Sequence, residues 1–324
     1  VLSGGDPELI ENDDPLTAFL TAGMEMAALM ERLAGELRFQ VVGRLEPAAA
    51  PKPRAKRVAR FPWISAVLLA LIALGCVFAD VLAPGDPNYM DLLHCRVAPC
   101  GAFPFGTDAS GRDLFAMIWH GGRISLGVGL LATAVSTAVA VVYGAVSGAA
   151  PDWLDGLMMR FLEILLSVPS LLAVIFLQAA LGANDPWTLS LVLGATGWMA
   201  VARVVRTEVR RLRRSEYVAV ARSTGGGFFH ILWNHLLPNF LPSILFMVVM
   251  NVRGAIVSES TLSFMGLGLP LDTVSWGSML SLSEKALLTG DWWIILIPGA
   301  FLVATLMCVT ELGEALRARL GRTD

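Results

Sequence analysis

The stretch EYVAVARSTGGGFFHILWNHLLPN, Glu216 to Asn239, decides how this chain must be read. It interrupts a run of apolar segments with charge at one end, three glycines in the middle and a proline near the close. Its local chemistry predicts helix, turn, helix. Ser215 can cap the first helix and Glu216 suits a first turn, where the exposed N–H groups favour an acceptor or a negative charge. Tyr217, Val220 and Ala221 give that helix a small apolar face. Gly225, Gly226 and Gly227 end it, because glycine alone enters the left-handed backbone freely. The second helix sets Phe228, Leu232 and Leu236 at intervals of four, flanked by Phe229 and Trp233, with His230 and Asn234 on another face. Pro238 and Pro242 then punctuate the entry to the next apolar run.

Two chemical readings of this stretch fail. The glycines lack the G-x-x-x-x-G-K-[ST] pattern of a phosphate loop, and no strand precedes them. His230 and His235 are five residues apart, off a common helical face, with no acidic or thiol neighbour to complete a metal site. Two physical readings stay open. The stretch is a stiff elbow presenting a short helix to another protein, or an amphipathic segment lying on a membrane.

The rest of the chain supplies the membrane. Of 324 residues, 55% are hydrophobic and 16% charged, and the mean hydropathy is +0.65. A soluble domain carries about 25% charged residues. The 19-residue run from Phe61 to Ala79 is long enough to cross a bilayer. Further apolar segments lie near 123–148, 157–181, 187–202, 241–265 and 292–312, so the sequence predicts an all-α membrane protein with six transmembrane helices. Residues 51–60 carry five Lys or Arg directly before the first run. Nucleic-acid binding is one reading of such a cluster, but a cytoplasmic membrane flank fits its position better.

Positive charge orients the chain. With residues 51–60 in the cytosol, the loop 203–240 is also cytosolic, and it holds Arg203, Arg206, Arg210, Arg211, Arg213, Arg214 and Arg222. The tail with Arg317, Arg319 and Arg322 falls on the same side. Both termini are therefore expected in the cytosol of a multi-pass membrane protein. The expected organisation is an acidic extension at 1–50, a basic linker at 51–60, a first helix plus extracytoplasmic segment at 61–122, a five-helix core at 123–318 and a tail at 319–324. The extension has nine acidic and three basic residues and one amphipathic helical pattern. It reads either as a solvated extension or as a docking helix.

The motifs then fall into order. The loop resembles the cytoplasmic EAA loop of ABC-importer permeases of the dipeptide, oligopeptide and nickel type, at Glu216, Tyr217, Val218, Ala221, Arg222, Gly225, His235, Leu237, Pro238 and Asn239. Ala219 stands where that pattern has its glutamate. FGTDASGRDLFAMIWHGGRISL (105–126), LMMRFLEILLSVPSLL (157–172), SESTLSFMGLG (258–268), SWGSML (275–280) and GEALR (313–317) resemble further segments of the DppC/OppC-like branch. The resemblance covers about residues 60–320 and leaves out 1–50.

The resemblance implies a type I importer permease of MetI-like fold, forming half of a pathway for di- and oligopeptides. It implies a second homologous permease chain (DppB/OppB-like), one or two cytosolic ATPase subunits that hold ATP and Mg, an extracytoplasmic binding protein and surrounding lipid. This chain would bind no cofactor, metal or nucleic acid and would carry no catalytic residue. ATPase coupling would fall to Glu216, Tyr217, Ala221, Arg222, Gly225, His235, Pro238 and Asn239. Nickel chelates, haem or another small solute are alternative cargoes, and a membrane scaffold without transport is the remote alternative. An intramembrane enzyme is weaker still, since no HExxH or G-x-S-x-G motif occurs.

Ionisable residues within apolar spans mark the remaining candidates, because they are costly there without a partner or cavity. Arg160 and Glu163, three apart, form either an ion pair or part of the pathway. Glu259, deeper in its span and off the face of Arg253, is a candidate for the pathway or a contact between subunits. Asp108, Arg112 and Asp113 either brace an outer gate, meet the binding protein, or build a turn. Cys95 and Cys100, with four residues between them in an extracytoplasmic loop, are expected to form a disulfide; Cys76 and Cys308 are thiols within apolar runs.

Overall fold

The computed structural model describes residues 62–182, 185–213, 215, 227, 230, 232–270, 272–283 and 286–320, with residues 25 and 28. The chain divides into two units, Val1–Val58 and Ala59–Asp324, and the second holds the helical bundle. Among its described residues regular structure is helical: α1 Trp63–Val77, α2 Leu114–Ala149, α3 Asp152–Ser167, α4 Ser170–Leu181, α5 Pro186–Gly197, α6 Met199–Leu212, α7 Leu237–Phe264, α8 Trp276–Leu282 and α9 Trp292–Leu320. Single turns at Ala79–Leu82, Leu92–His94 and Ala286–Thr289 lie between them.

α2 is the axis of the unit. At 36 residues it runs about 54 Å. It packs against α6, α5, α7 and α1, and more lightly against α8 and α3. Its start is fixed by Asp113, whose side chain accepts from the Phe115 N–H. Three apolar clusters follow along it. Near its N-terminus Met117 and Ile118 meet Cys76 of α1, Trp276 of α8 and Trp293 of α9. Midway, Val128 and Ala132 meet Val174, Leu189, Val192 and Leu262. Near its C-terminus Ala140 and Ala145 meet Leu162, Val201, Val205, Leu236 and Phe240.

α2, α7 from Ser243 onward and α9 are each long and apolar enough to cross a membrane. The segments expected as straight spans at 157–181 and 187–202 are instead bent pairs. α3 and α4 meet at 87°, and α5 and α6 at 47°, so the described helices give three to five crossings by length and composition. The first bend has a local cause. Pro169 drives the residue before it out of the helical region, and Val168 sits at φ −82, ψ 126. Proline also cannot donate to the preceding turn, so α4 must start afresh behind it. α1, at 15 residues, is shorter than the run predicted over 61–79, because the chain turns at Phe78 before the Ala79–Leu82 turn.

Close approach of α2 and α6 depends on the absence of a side chain at Gly144. A Cβ there would lie 2.5 Å from the Ala202 carbonyl and 2.8 Å from Val205 Cβ. Gly144→Ala should therefore force the two helices apart, at a cost of about 1–3 kcal/mol. A melting temperature in detergent equal to that of the unaltered protein would contradict this packing.

Candidate functional site

Two ends of the bundle hold the charged and motif residues. At the first, the turn between α2 and α3 is joined to α6. Asp155 lies one turn into α3, is 3% exposed, and accepts from Ser147 Oγ at 2.6 Å. Arg206 of α6 grips the same carboxylate with Nε and Nη2 in a two-pronged contact. Arg210, one turn on, lies 3.2 Å from Asp155 Oδ2 and donates to Asp152 Oδ1 at 2.6 Å. Arg213 donates to the carbonyls of Ala149 and Ala150, at 2.9 and 3.3 Å. These carbonyls terminate α2, where the helix dipole favours a cation.

Sequence reasoning found the arginines but not their partner. The partner lies between the apolar runs predicted at 123–148 and 157–181, about fifty residues before the arginines in sequence. A signal existed: Arg203, Arg206, Arg210 and Arg213 recur at helical spacing, and Asp152 and Asp155 are three apart on the opposing element. A cationic stripe on one face and an acidic pair on a neighbouring turn are complementary, but only folding makes them neighbours.

α6 ends at Leu212 and leads into the residues quoted at the outset. Glu216, Tyr217, Ala221, Arg222 and Gly225 lie outside the described residues. Beyond them, Leu232–Leu236 forms one wide π turn that runs directly into α7. Leu232 and Leu236 are buried, as their spacing predicts, while Trp233 is 66% exposed. His230 and Asn234 do share a face, with Asn234 Nδ2 2.9 Å from His230 Nδ1. Pro238 does not stop the chain here; it sits in the first turn of α7, where a missing N–H costs least. His235 belongs to the π turn by its backbone, and Asn239 is exposed on the first turn of α7.

The opposite end is built on the 105–113 motif. Asp108 and Arg112 form a buried pair, with Arg112 Nε and Nη2 each 2.7 Å from Asp108 Oδ2. Asp108 Oδ1 also accepts from the N–H groups of Ser110 and Arg112. Gly111 holds φ +77, and a Cβ there would lie 1.9 Å from the Asp91 carbonyl, so no other residue fits. Trp293 Nε1 donates to the Thr107 carbonyl at 3.2 Å and ties the loop to α9. Asp108 and Arg112 close the loop internally and Asp113 caps α2. Cys95 and Cys100 are exposed thiols and are not joined to each other. The segment between them is ordered instead by Val97, which exchanges bonds with Thr107 through N–H to Oγ1 at 2.8 Å and carbonyl to N–H at 2.9 Å.

The span residues separate in the same way. Arg160 and Glu163 are 3.1 Å apart on α3 and largely exposed, at 81% and 52% of their side chains. Glu259 is fully buried inside this chain. It accepts from Ser125 Oγ of α2 at 3.0 Å, Ser260 Oγ at 3.2 Å and Ser263 Oγ at 2.9 Å. Ser125 in turn accepts from the Trp276 N–H at 3.2 Å. Glu259 is thus a knot joining α2, α7 and α8, buried within this chain. The serines that line it explain the motif around 258–263, which sequence reasoning had left without a physical account.

Known proteins match this chain over the helical unit. Residues 140–322 match the family described as binding-protein-dependent transport system inner membrane component. The chain belongs to that family. It is 35% identical to the dipeptide transport system permease protein DppC of Bacillus subtilis, over 78% of this chain and 79% of the relative. It is 35% identical to the oligopeptide transport system permease protein OppC of the same organism, over 79% and 84%. The OppC protein of Haemophilus influenzae is 37% identical over 80% and 84%. The family matches the resemblance read from the motifs, and it makes this all-helical chain a membrane-spanning permease component of a transporter.

The joint at Asp155 sets a measurable expectation. Asp155→Asn leaves two arginines facing a neutral group and should lower stability by about 1–3 kcal/mol, read as a fall in melting temperature in detergent. Asp152→Asn removes an exposed partner and should cost under about 1 kcal/mol. Equal losses in the two variants would rule out the buried joint as the main connection.

Proposed function

We propose that this chain is one of two related permease subunits of a type I, MetI-like ABC importer for di- and oligopeptides. The relatives named above are dipeptide and oligopeptide permeases, and the chain covers most of their length. In this reading the six crossings are α1 with the Ala79–Leu82 turn, α2, the α3–α4 pair, the α5–α6 pair, α7 and α9. The termini and residues 203–240 face the cytosol, where the arginines concentrate. A second permease chain completes the pathway, an extracytoplasmic binding protein delivers the solute, and cytosolic ATPases bind and hydrolyse ATP.

The observation that carries the reading is the joint between α6 and the α2–α3 turn. A motor that pushes on 214–231 moves a loop flanked by α6 on one side and by the π turn and α7 on the other. Because Arg206 and Arg210 tie α6 to Asp155 of α3, and Arg213 ties it to the end of α2, such a push would be transmitted to the central helix rather than absorbed at the surface. Leu232 and Leu236 do the same for the second arm by packing into the cluster that contains Val201 and Val205. Trp233, beside them and exposed, offers an aromatic docking surface.

The test uses the full complex, purified with its second permease, its ATPases and its binding protein and placed in liposomes. ATP-driven accumulation of a labelled tripeptide is expected. Gly225→Pro bars the left-handed backbone that the sequence predicts for a bend at this glycine, so it should misshape the elbow and reduce uptake about tenfold or more while ATP hydrolysis continues. Undiminished uptake by that variant would reject the lever, and a complex lacking any ATPase would reject the importer.

A further inference from the structure

α7 carries a charge that the bundle leaves unanswered. Its segment Ser243–Phe264 is long and apolar enough to cross a membrane, and Arg253 stands ten residues from the start of it and eleven from the end. At 1.5 Å per residue that is about 15 Å from either end, midway through a hydrocarbon core of about 30 Å. An arginine near the end of a span reaches the headgroups along the lipid; one at mid-depth is held by a partner or faces a wet cavity. The other ionisable side chain of this segment, Glu259, is buried among its serines. Arg112, Arg123, Arg160, Arg206 and Arg211 each pair with a carboxylate of this chain. Among the described residues Arg253 pairs with none and makes no side-chain hydrogen bond.

Two observations describe the space in front of it. Arg253 is exposed on one strip of α7 with Gly254, Val257, Thr261 and Phe264, while Ile256, Glu259 and Ser263 turn into the bundle. A Cβ added at Gly254 would meet nothing within 4 Å, so the space beside the arginine is open. Asn251, Gly254 and Ser258 of the same helix also line a cavity of about 210 Å³ between α2, α4, α5 and α7. Its other walls carry Ser136, Ser170 and Thr196, and no lining residue is charged. Hydroxyl and amide groups on an open wall at membrane depth favour water over lipid. The side of α7 next to Arg253 is thus suited to a wet route and poorly suited to an acyl chain.

A guanidinium in such a place selects an anion, and its planar fork matches a carboxylate through two parallel bonds. Peptides of every sequence carry that group at the C-terminus. We propose that Arg253 is a binding point on the transport route, where its guanidinium takes the C-terminal carboxylate of the peptide midway across the membrane. The inference rests on the peptide-importer reading above and adds a solute contact made by this chain. A carboxylate of the second permease chain would satisfy the charge too, but in a closed contact, whereas the polar cavity keeps this side wet. Water also screens the pair, so that the solute leaves as readily as it arrives. A cationic nickel complex would be repelled at the same point.

The experiment uses the liposome complex at saturating binding protein, with labelled tri-alanine and its C-terminal amide. Arg253→Gln removes the charge, and Arg253→Lys keeps it. Arg253→Gln should lower uptake of tri-alanine about tenfold or more, the size of one charge-assisted hydrogen bond, and Arg253→Lys should recover most of it. Assembly of the complex and its melting temperature should stay unchanged in both, since the side chain is exposed and unpaired in this chain. Each variant should take up the amide as the unaltered complex does. Undiminished tri-alanine uptake by Arg253→Gln overturns the site, as does an equal fractional loss for the amide. If the unaltered complex admits only the free acid, the two variants decide alone, and a lysine variant no better than the glutamine one overturns the site. Loss of assembly in Arg253→Gln also overturns it and gives the arginine to a contact with the second permease chain. Failure of the unaltered complex to move tri-alanine refutes the peptide reading itself; failure of the site leaves that transport intact.

Discussion

A buried carboxylate inside an apolar bundle must be neutralised by opposite charge and by donors, or the fold around it fails. Asp155 meets that requirement through three elements at once. Ser147 comes from the end of α2, Arg206 and Arg210 from α6, and Asp155 itself from the first turn of α3. No pair of these helices can shift without unbonding one of the charges. The geometry around it follows from this constraint. α6 must lie close along α2, which the missing side chain at Gly144 permits, and the α2–α3 turn must be tight. The chain that leaves α6 therefore starts from a fixed base.

The same bundle uses breaks as deliberately as it uses joints. Pro169 ends α3 and frees the N-terminus of α4, turning one apolar stretch into two helices at 87°. Trp198 divides α5 from α6 with a milder bend. A straight span would bury all of its backbone groups internally. A broken one exposes a few N–H groups at depth, which is tolerated only where protein, water or a solute can meet them. Ser170 and Leu171, just behind Pro169, border the polar cavity, and Glu259 with its ring of serines stiffens the α2–α7–α8 contact.

Much of this was legible in residue order. Apolar runs separated by polar loops fixed an all-helical membrane protein, because only helices satisfy every backbone group of a crossing segment locally. Leu232 and Leu236 were readable as buried from spacing alone, and His230 with Asn234 as a shared face. At other residues the charge was legible but its bonding was not. Glu259 was conspicuous as an acid in a span, yet its partners are serines whose spacing announces no charge. Asp108 and Arg112 were conspicuous as charges in an outer loop, yet they bond to each other and to the loop's own N–H groups. Composition reports that a charge exists; it does not report which way the side chain turns.

The sequence by itself determined the class and the family. These rest on local periodicity, on charge beside apolar runs and on ordered motifs, and each is carried by residues near one another in the chain. Only the tertiary structure decided that Asp155 is the hub, that Glu259 faces inward, and that Arg253 lies on an open strip beside a polar cavity. Those facts depend on contacts across many tens of residues. Side-chain bonds of that range follow from how helices cross and bend, and neither the crossing nor the bend is written in the periodicity of any single helix.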